Sequence, residues 1–338
     1  MDIIAERSSI TQAIQVGIES TPGTAVAANK RLGSMYVELG PAIDSSPLQP
    51  TGQKYPTAEI LGKEWSEGKI SGMPVYTELP YAFASVVNAP TVVQIMDSAT
   101  PTLAYRWTFD SNSFTDDTPK TMTVEQGSTF RAHRVAGLLF SEYGWKWGRD
   151  KIELDGKAFG KSIEDGITLT ASPTLLPQVP VRPTELSLFL DTAAASLGTT
   201  KMLRTLKGET KLSDRYVPLW VVDAAQTSYV STVEDAPELS MKVTMMADAQ
   251  AMARLTAMRA GVTQFLRLRA TGPNIYTSIT PLVVNHQVTW DVAGQISDIS
   301  SFSDEDGVYA VEFTFTAVID PTWGKAFTVE VITTTSAL

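Results

Sequence analysis

Residues 239–272 read LSMKVTMMADAQAMARLTAMRAGVTQFLRLRATG, and their pattern is strand, helix, strand. Leu239, Met241, Val243 and Met245 alternate with Ser240, Lys242 and Thr244, the two-residue period of a half-buried strand. Asp248 stands where a side-chain oxygen can accept from a free N–H of a first helical turn. Met252, Leu255 and Met258 then recur at helical spacing beside Ala251 and Val262, which predicts a stripe facing the core. Gly261 suits the left-handed conformation that ends a helix. Leu266, Leu268 and Ala270 alternate with Arg267 and Arg269 in a second strand.

The same order occurs earlier. KISGMPVY (69–76) is a strand interrupted by Pro74, as at an edge or bulge. TELPYAFASVVNAP (77–90) is a short helix with Leu79, Phe83, Val86 and Val87 on one face; Pro80 suits its first turn, and Asn88 and Pro90 its end. Leu103, Tyr105, Trp107 and Phe109 alternate in the strand that follows. The helical segments lie roughly 165–170 residues apart, about half the chain, which suggests two modules of one type in tandem.

The totals fit that reading. A chain of 338 residues is too long for one small core and about right for two domains. Its 43% hydrophobic and 19% charged residues are those of an ordered globular protein. A formal net charge of −10 argues against tight clamping of nucleic acid, which needs a basic surface. There is no cysteine, hence no disulfide, thiolate metal site or thiol nucleophile. The opening residues carry Asp2 and Glu6 and no apolar run, so no secretory leader is expected. No stretch approaches the ~20 apolar residues that span a bilayer, so the expectation is a soluble chain, intracellular when made, without membrane insertion.

Outward from the two units, residues 1–33 read as an N-terminal arm, because TPGT (21–24) is a turn signal and AVAANKRLG is small and polar. Module one then spans 34–175, opening with the strand MYVEL (35–39). Residues 41–68 form a long polar stretch containing Tyr55, Ile60, Leu61 and Trp65, either a partner surface or a loop folded back on its own domain. LPQVPVRPTE (176–185) carries three prolines and reads as the linker. Module two spans 186–338 and opens with LSLFL, taken as the counterpart of MYVEL. ITPLVVNHQVTW and GQISDISSFS read as separate strands. In VYAVEFTFTAVID, Tyr309, Val311, Phe313 and Phe315 share one face, and Glu312, Thr314 and Thr316 the other. Strands dominate, which predicts a mainly β chain: tandem β-sandwich or open-barrel modules, each with one short helix.

Little in the chain carries chemistry. His133 and His286 lie far apart in sequence and neither has a metal-spaced partner. There is no glycine-rich phosphate loop and no nucleophile elbow. Asp304, Glu305 and Asp306 before Gly307 lack the rest of a calcium loop and read as a solvated turn. No catalytic, cofactor-binding or metal-binding residue is assigned. Arg254, Arg259, Arg267 and Arg269 form a basic cluster, to be paired with carboxylates of a neighbouring subunit or simply solvated, with nucleic-acid contact a third option.

Four strings in order give a resemblance. AIQVGIESTPGTAVAANKRLG (13–33), GKISGMPVYTELPYAFASVVN (68–88), DDTPKTMTVEQGS (116–128) and DEDGVYAVEFTFTAVIDPTWGKAFTVEV (304–331) together resemble the major tail, or tail tube, proteins of long non-contractile-tailed bacteriophages, the two-module kind. The resemblance runs over nearly the whole chain. It implies two packed β-sheets flanked by a helix, one sheet joining its neighbours' sheets in a ring. Related single-module tubes are hexameric, so a two-module chain would form a trimeric ring of pseudo-hexameric symmetry, stacked into a tube. It implies a structural virion protein, not an enzyme, without cofactor, made in the host cytoplasm. Its partners would be itself, a tape-measure protein and tail-tip or terminator proteins, with viral DNA passing through the tube without specific binding. Tyr55, Trp65 and the four arginines are then candidate inter-subunit contacts, and Glu312 a candidate lumen residue; an acidic lumen would repel DNA. Other readings are a different virion protein, such as a capsid decoration or tail terminator, and a carbohydrate-binding β-sandwich using Trp65, Trp145, Trp147 and Trp220.

Overall fold

The computed structural model describes residues 12–278 and 282–338. The first eleven residues of the expected arm, and 279–281 of the expected strand ITPLVVNHQVTW, lie outside them. The chain is mainly β, with two α-helices among the described residues.

The first half contains β1 (Ala13–Ile18), β2 (Lys30–Leu32), β3 (Met35–Leu48), β4 (Ala58–Gly72), α1 (Leu79–Val86), β5 (Thr91–Asp97) and β6 (Thr100–Asp110). It continues with β7 (Met122–Gly127), β8 (Ala132–Gly148), β9 (Ile152–Gly160), β10 (Glu164–Ile167) and β11 (Thr174–Leu175). The second half contains β12 (Leu186–Asp191), β13 (Thr205–Ser213), β14 (Tyr216–Leu219), β15 (Ser231–Glu234), β16 (Glu238–Met246) and α2 (Ala249–Arg259). Its remaining strands are β17 (Gln264–Thr277), β18 (Val283–Ile299), β19 (Ser303–Glu305), β20 (Val308–Ala317) and β21 (Phe327–Thr333).

Strand pairing repeats between the halves. In the first, β3–β4–β9–β8 form one antiparallel run, and the N-terminal part of β8 turns away to pair with β7 and β10. In the second, β13–β16–β20–β18 form the same run, and the N-terminal part of β18 pairs with β17 and β21. β1 lies on β7 as β12 lies on β17. Even the bulges match, at Phe140/Glu142 in β8 and Ile296/Asp298 in β18. A carboxylate beside the end of each half's first strand clamps the loop that follows: Glu19 accepts from the Gly23 N–H at 2.7 Å, and Asp191 from the Gly198 N–H at 2.9 Å.

Several expectations are corrected here. Residues 12–33 are not a free arm: AIQVGI is β1, buried along its length between β2 and β7, and it is the counterpart of LSLFL in place of MYVEL. Six residues buried on both faces show no alternation, so the flanking turn chemistry dominated the reading. Residues 41–68 are two long paired strands, not an irregular loop. At Gly68 a Cβ would stand 1.8 Å from the Glu38 carbonyl oxygen, so only glycine permits that pairing. Residues 176–185 are docked, not a free linker: Leu176 and Val181 are buried, the Tyr76 N–H donates to Val179 O at 3.0 Å, and the Val181 N–H donates to Pro74 O at 2.9 Å. The residues of GQISDISSFS up to Ile299 continue β18 as one long strand with VVNHQVTW.

The two helices serve different ends. All eight residues of α1 are buried, in place of the one apolar face expected. Phe83 lies 5.6 Å from Phe109, 5.5 Å from Tyr143 and 5.1 Å from Trp290, ring to ring. One hydrophobic core therefore runs through both halves, with α1 at its centre. In α2 Asp248 accepts from the Ala251 N–H at 3.0 Å, and Gly261 takes φ +60° just past the helix end. The expected core stripe is core only at one end: Met252 is 44% exposed and Leu255 half-buried, while the half-buried Met258 packs against the core. Beside α2 only Ala251 of that stripe's neighbourhood is buried, because the helix rests on the outside of β18.

The Asp191 clamp gives a pH-dependent prediction. Burial raises the acidity constant's pKa, but hydrogen bonds from the side chains and N–H groups of Thr200 and Thr199 outweigh it and hold the carboxyl below its ordinary range. A depressed folded pKa means that its stabilisation is present at neutral pH and lost as pH falls through that pKa. Asp191→Asn is expected to lower stability at neutral pH by about 1–2 kcal/mol. The difference from wild type should shrink toward acid, read as urea midpoints between about pH 7 and pH 2. A pH-independent difference would remove the carboxylate from the explanation.

Candidate functional site

The first half's run and the second half's run are not separate sheets. β8 pairs with β13 from Tyr143↔Leu212 to Gly148↔Lys207. The result is one antiparallel sheet in the order β3–β4–β9–β8–β13–β16–β20–β18, eight strands crossing the chain. Its inner face carries Trp145, Trp147, Met241, Val243, Phe313 and Phe315, all buried. The opposite face is polar. Glu153, Lys146, Glu209 and Lys242 stand in register across four strands and over the seam. Glu38, Lys69, Lys157 and Glu142 form a second row. Lys157 and Lys211 both reach Glu142, at 3.2 and 3.1 Å, and Lys146 reaches Asp155 at 3.1 Å.

Glu312 lies on this polar face, where its carboxylate accepts from the Thr244 hydroxyl at 3.4 Å. It borders a depression of about 710 Å3 with Lys242, Glu209 and Lys207. The two rows hold four lysines and four glutamates, so the negative charge of the chain is not concentrated on this face.

Two edges of the long sheet have no partner strand among the described residues: β3, and β18 beyond Gly294, where its pairing with β17 ends. These edges correspond to β13 and to the C-terminal part of β8, the strands that meet at the internal seam. An open edge presents unpaired N–H and C=O groups and is a template for another strand.

The internal seam is locked from one side by the β14–β15 hairpin. Tyr216 and Tyr229 pack on Leu139 and Phe159. Arg215 is fully buried; it donates to the Val86 and Val87 carbonyls at 2.7 Å each, to Asp117 at 2.7 Å and to Glu234 at 2.9 Å. Sequence reasoning missed Arg215, since one arginine opening a short apolar run (215–222) carries no local signal of a partner 98 residues away.

The remaining candidates fall as follows. Tyr55 is 70% exposed near the tip of the β3–β4 hairpin. Trp65 is partly buried against Trp220, 5.8 Å ring to ring, and Trp145 and Trp147 are core residues, so the four tryptophans form no exposed platform for a sugar. The arginine cluster is split. Arg267 finds its carboxylate within the chain, donating to Asp291 at 2.6 and 2.7 Å. Arg269 lies over the Phe189 ring at 5.6 Å, and burial, then Arg267, lowers its pKa. Arg254, half-buried on α2, is likewise lowered by burial, and Arg259 is exposed in the last turn. His286 is buried beside Tyr76, and burial lowers the pKa of both it and His133. Among the described residues no group of three or more His, Cys, Asp or Glu could hold a metal, and no helix is long and apolar enough to cross a membrane. No protein-family model and no curated protein sequence matches this chain.

Proposed function

We propose that the chain is the repeating wall subunit of a tube, a tail tube protein of a long-tailed bacteriophage. The observation that carries this reading is the eight-stranded sheet. One of its seams, β8 with β13, is made inside the chain, and the counterpart strands β18 and β3 are left open at its two ends. A second copy can supply the missing seam by the pairing already seen once, and repetition closes a barrel without edges. Single-module tubes related to the family it resembles are hexameric, which suggests six halves, hence three chains, per ring. Roughly twenty-four strands spaced ~4.8 Å apart and tilted by ~40° give about 45–50 Å between backbones across the barrel. That leaves a passage wider than duplex DNA once side chains are added. The polar face would line it, Glu312 included. Its balanced lysines and carboxylates offer DNA no basic stripe to hold, so passage without specific binding follows from charge balance more than from an acidic wall. Tape-measure and tail-tip or terminator proteins would be the partners, and the virion tail the location.

Register makes the test specific. Matching the bulges of β8 and β18 sets Trp145 against Ser301, and matching β4 to β16 sets Thr210 against Leu39. Thr210 faces Trp145 at the internal seam, so Leu39 of one copy should face Ser301 of the next. Because the chain has no cysteine, Leu39→Cys with Ser301→Cys gives a clean disulfide test. Oxidation should yield covalent trimers, with rings or hollow tubes in electron micrographs of the same sample. A double variant that remains monomeric on oxidation, from protein that forms no rings at any concentration, would overturn the reading.

A further inference from the structure

Both halves make the same excursion, but only one of the two is received within the chain. Between β13 and β16 the chain leaves the long sheet, forms β14–β15, and lies down on the first half against Leu139, Phe159 and Trp65. Beyond the bulge at Ile43/Ser45, the outer ends of β3 and β4 with the turn between them, residues 43–64, make an excursion of similar length. That one projects. Ile43, Leu48, Tyr55, Ile60 and Leu61 on it are 49–71% exposed. A mainly polar hairpin that holds five large apolar side chains uncovered in water marks a contact surface.

The internal repeat says what covers it. The equivalence that sets the seam register places Arg215, at the base of the received hairpin, on Asp44 at the base of the projecting one. On the receiving side it places Val86, the last residue of α1, on Arg259, the last residue of α2. Arg215 bonds the Val86 carbonyl at 2.7 Å. Asp44 and Arg259 are both exposed, and neither forms an ion pair among the described residues. Apolar cover stands nearby: Val262, just past α2, and Ile319, three positions past the counterpart of Phe159, are each 47% exposed. The external contact thus takes the internal one's place with different chemistry: Arg215 bonds a main-chain carbonyl at the helix end, whereas Asp44 on the projecting hairpin stands opposite the side-chain cation of Arg259.

We infer that the 43–64 hairpin of one copy lies across the second half of a neighbouring copy beside the C-terminal end of α2, with Asp44 facing Arg259 and the hairpin's apolar side chains covering Val262 and Ile319. The inference rests on ring closure through β3 and β18. It makes each ring seam two contacts, a strand pairing and a clasp over it, as the internal seam already is.

Charge exchange tests it. Asp44→Arg and Arg259→Asp are each expected to raise the concentration needed for ring or tube formation by about tenfold, while leaving circular dichroism and melting of the monomer unchanged. The double variant D44R/R259D should return to near wild-type assembly. A cysteine pair at 44 and 259, bridged by a bismaleimide, should link copies in assembled samples. Single variants that assemble like wild type while the Leu39–Ser301 disulfide still forms would overturn the clasp and leave the tube reading standing. A double variant no better than the worse single would also overturn it. Wild-type protein that stays monomeric at every concentration, with no Leu39–Ser301 linkage, would overturn both.

Discussion

Arg215→Met is expected to lower the unfolding free energy by about 3–5 kcal/mol, the range for removing one partner of a buried ion pair. The guanidinium is fully buried and donates to five acceptors: four from the end of α1, the Asp117 loop and β15, and the neighbouring Tyr216 hydroxyl. Burial disfavours its charge, but Tyr216, Asp117 and Glu234 outweigh that and hold its pKa above the ordinary arginine value. Methionine fills the volume and leaves two carboxylates without their cation. Asp117 keeps the Ser111 hydroxyl at 2.7 Å and the Asn88 amide at 2.9 Å, which limits but does not cancel the loss. Arg215→Lys keeps the charge without the fork and should fall between the two. Denaturant unfolding measures all three. If methionine costs under about 1 kcal/mol, the cluster is not a net stabiliser and the hairpin is held by its aromatics alone. In that case tryptophan fluorescence should report Trp220 still packed on Trp65.

The second large effect belongs to α1. Phe83→Ala is expected to cost about 3–5 kcal/mol, because the ring touches three aromatic neighbours from β6, β8 and β18 and a truncated side chain leaves a cavity none of them can fill alone. Met252→Ala in α2 should cost well under that, within about 0.5 kcal/mol, since its side chain is already 44% exposed. Thermal melting of the two variants side by side checks the contrast. Equal losses would mean that α2 packs as deeply as α1 and that the helices are equivalent in more than chain position.

That contrast shows where the sequence was legible. Apolar periodicity marks an amphipathic segment, and it found both helices, β16, β17 and most of β20. It does not say what the segment meets. Met252, Leu255 and Met258 carry the helical period, yet α2 rests mainly on β18, and of the three only Met258 packs against the core. Tyr309 continues the alternation of Val311, Phe313 and Phe315, but it is 78% exposed because the strand runs past the core into the β19–β20 turn. β1 was missed for the opposite reason, being buried on both faces and so without a period. The seam itself is formed by backbone groups of β8 and β13, and backbone hydrogen bonds have no signature in side-chain order. The apolar residues within 41–68 were legible, with a partner surface and a fold-back both open; that they stand exposed on a hairpin with a twin elsewhere in the chain was not.

The halves also trade strands. β5 and β6, from the first half, complete the second half's flanking sheet through β21, with Trp107 donating to Thr335 O at 2.8 Å across 228 residues of sequence. During synthesis, then, the aromatic strand that carries Trp107 and Phe109 waits unpaired on one side until β21 has left the ribosome. The first half cannot mature alone on the way out, as tandem domains ordinarily do. Folding becomes a late, all-or-none event with long loops to close, and therefore slow. A chain that stops before β21 leaves β6 without its partner strand and therefore has no finished half.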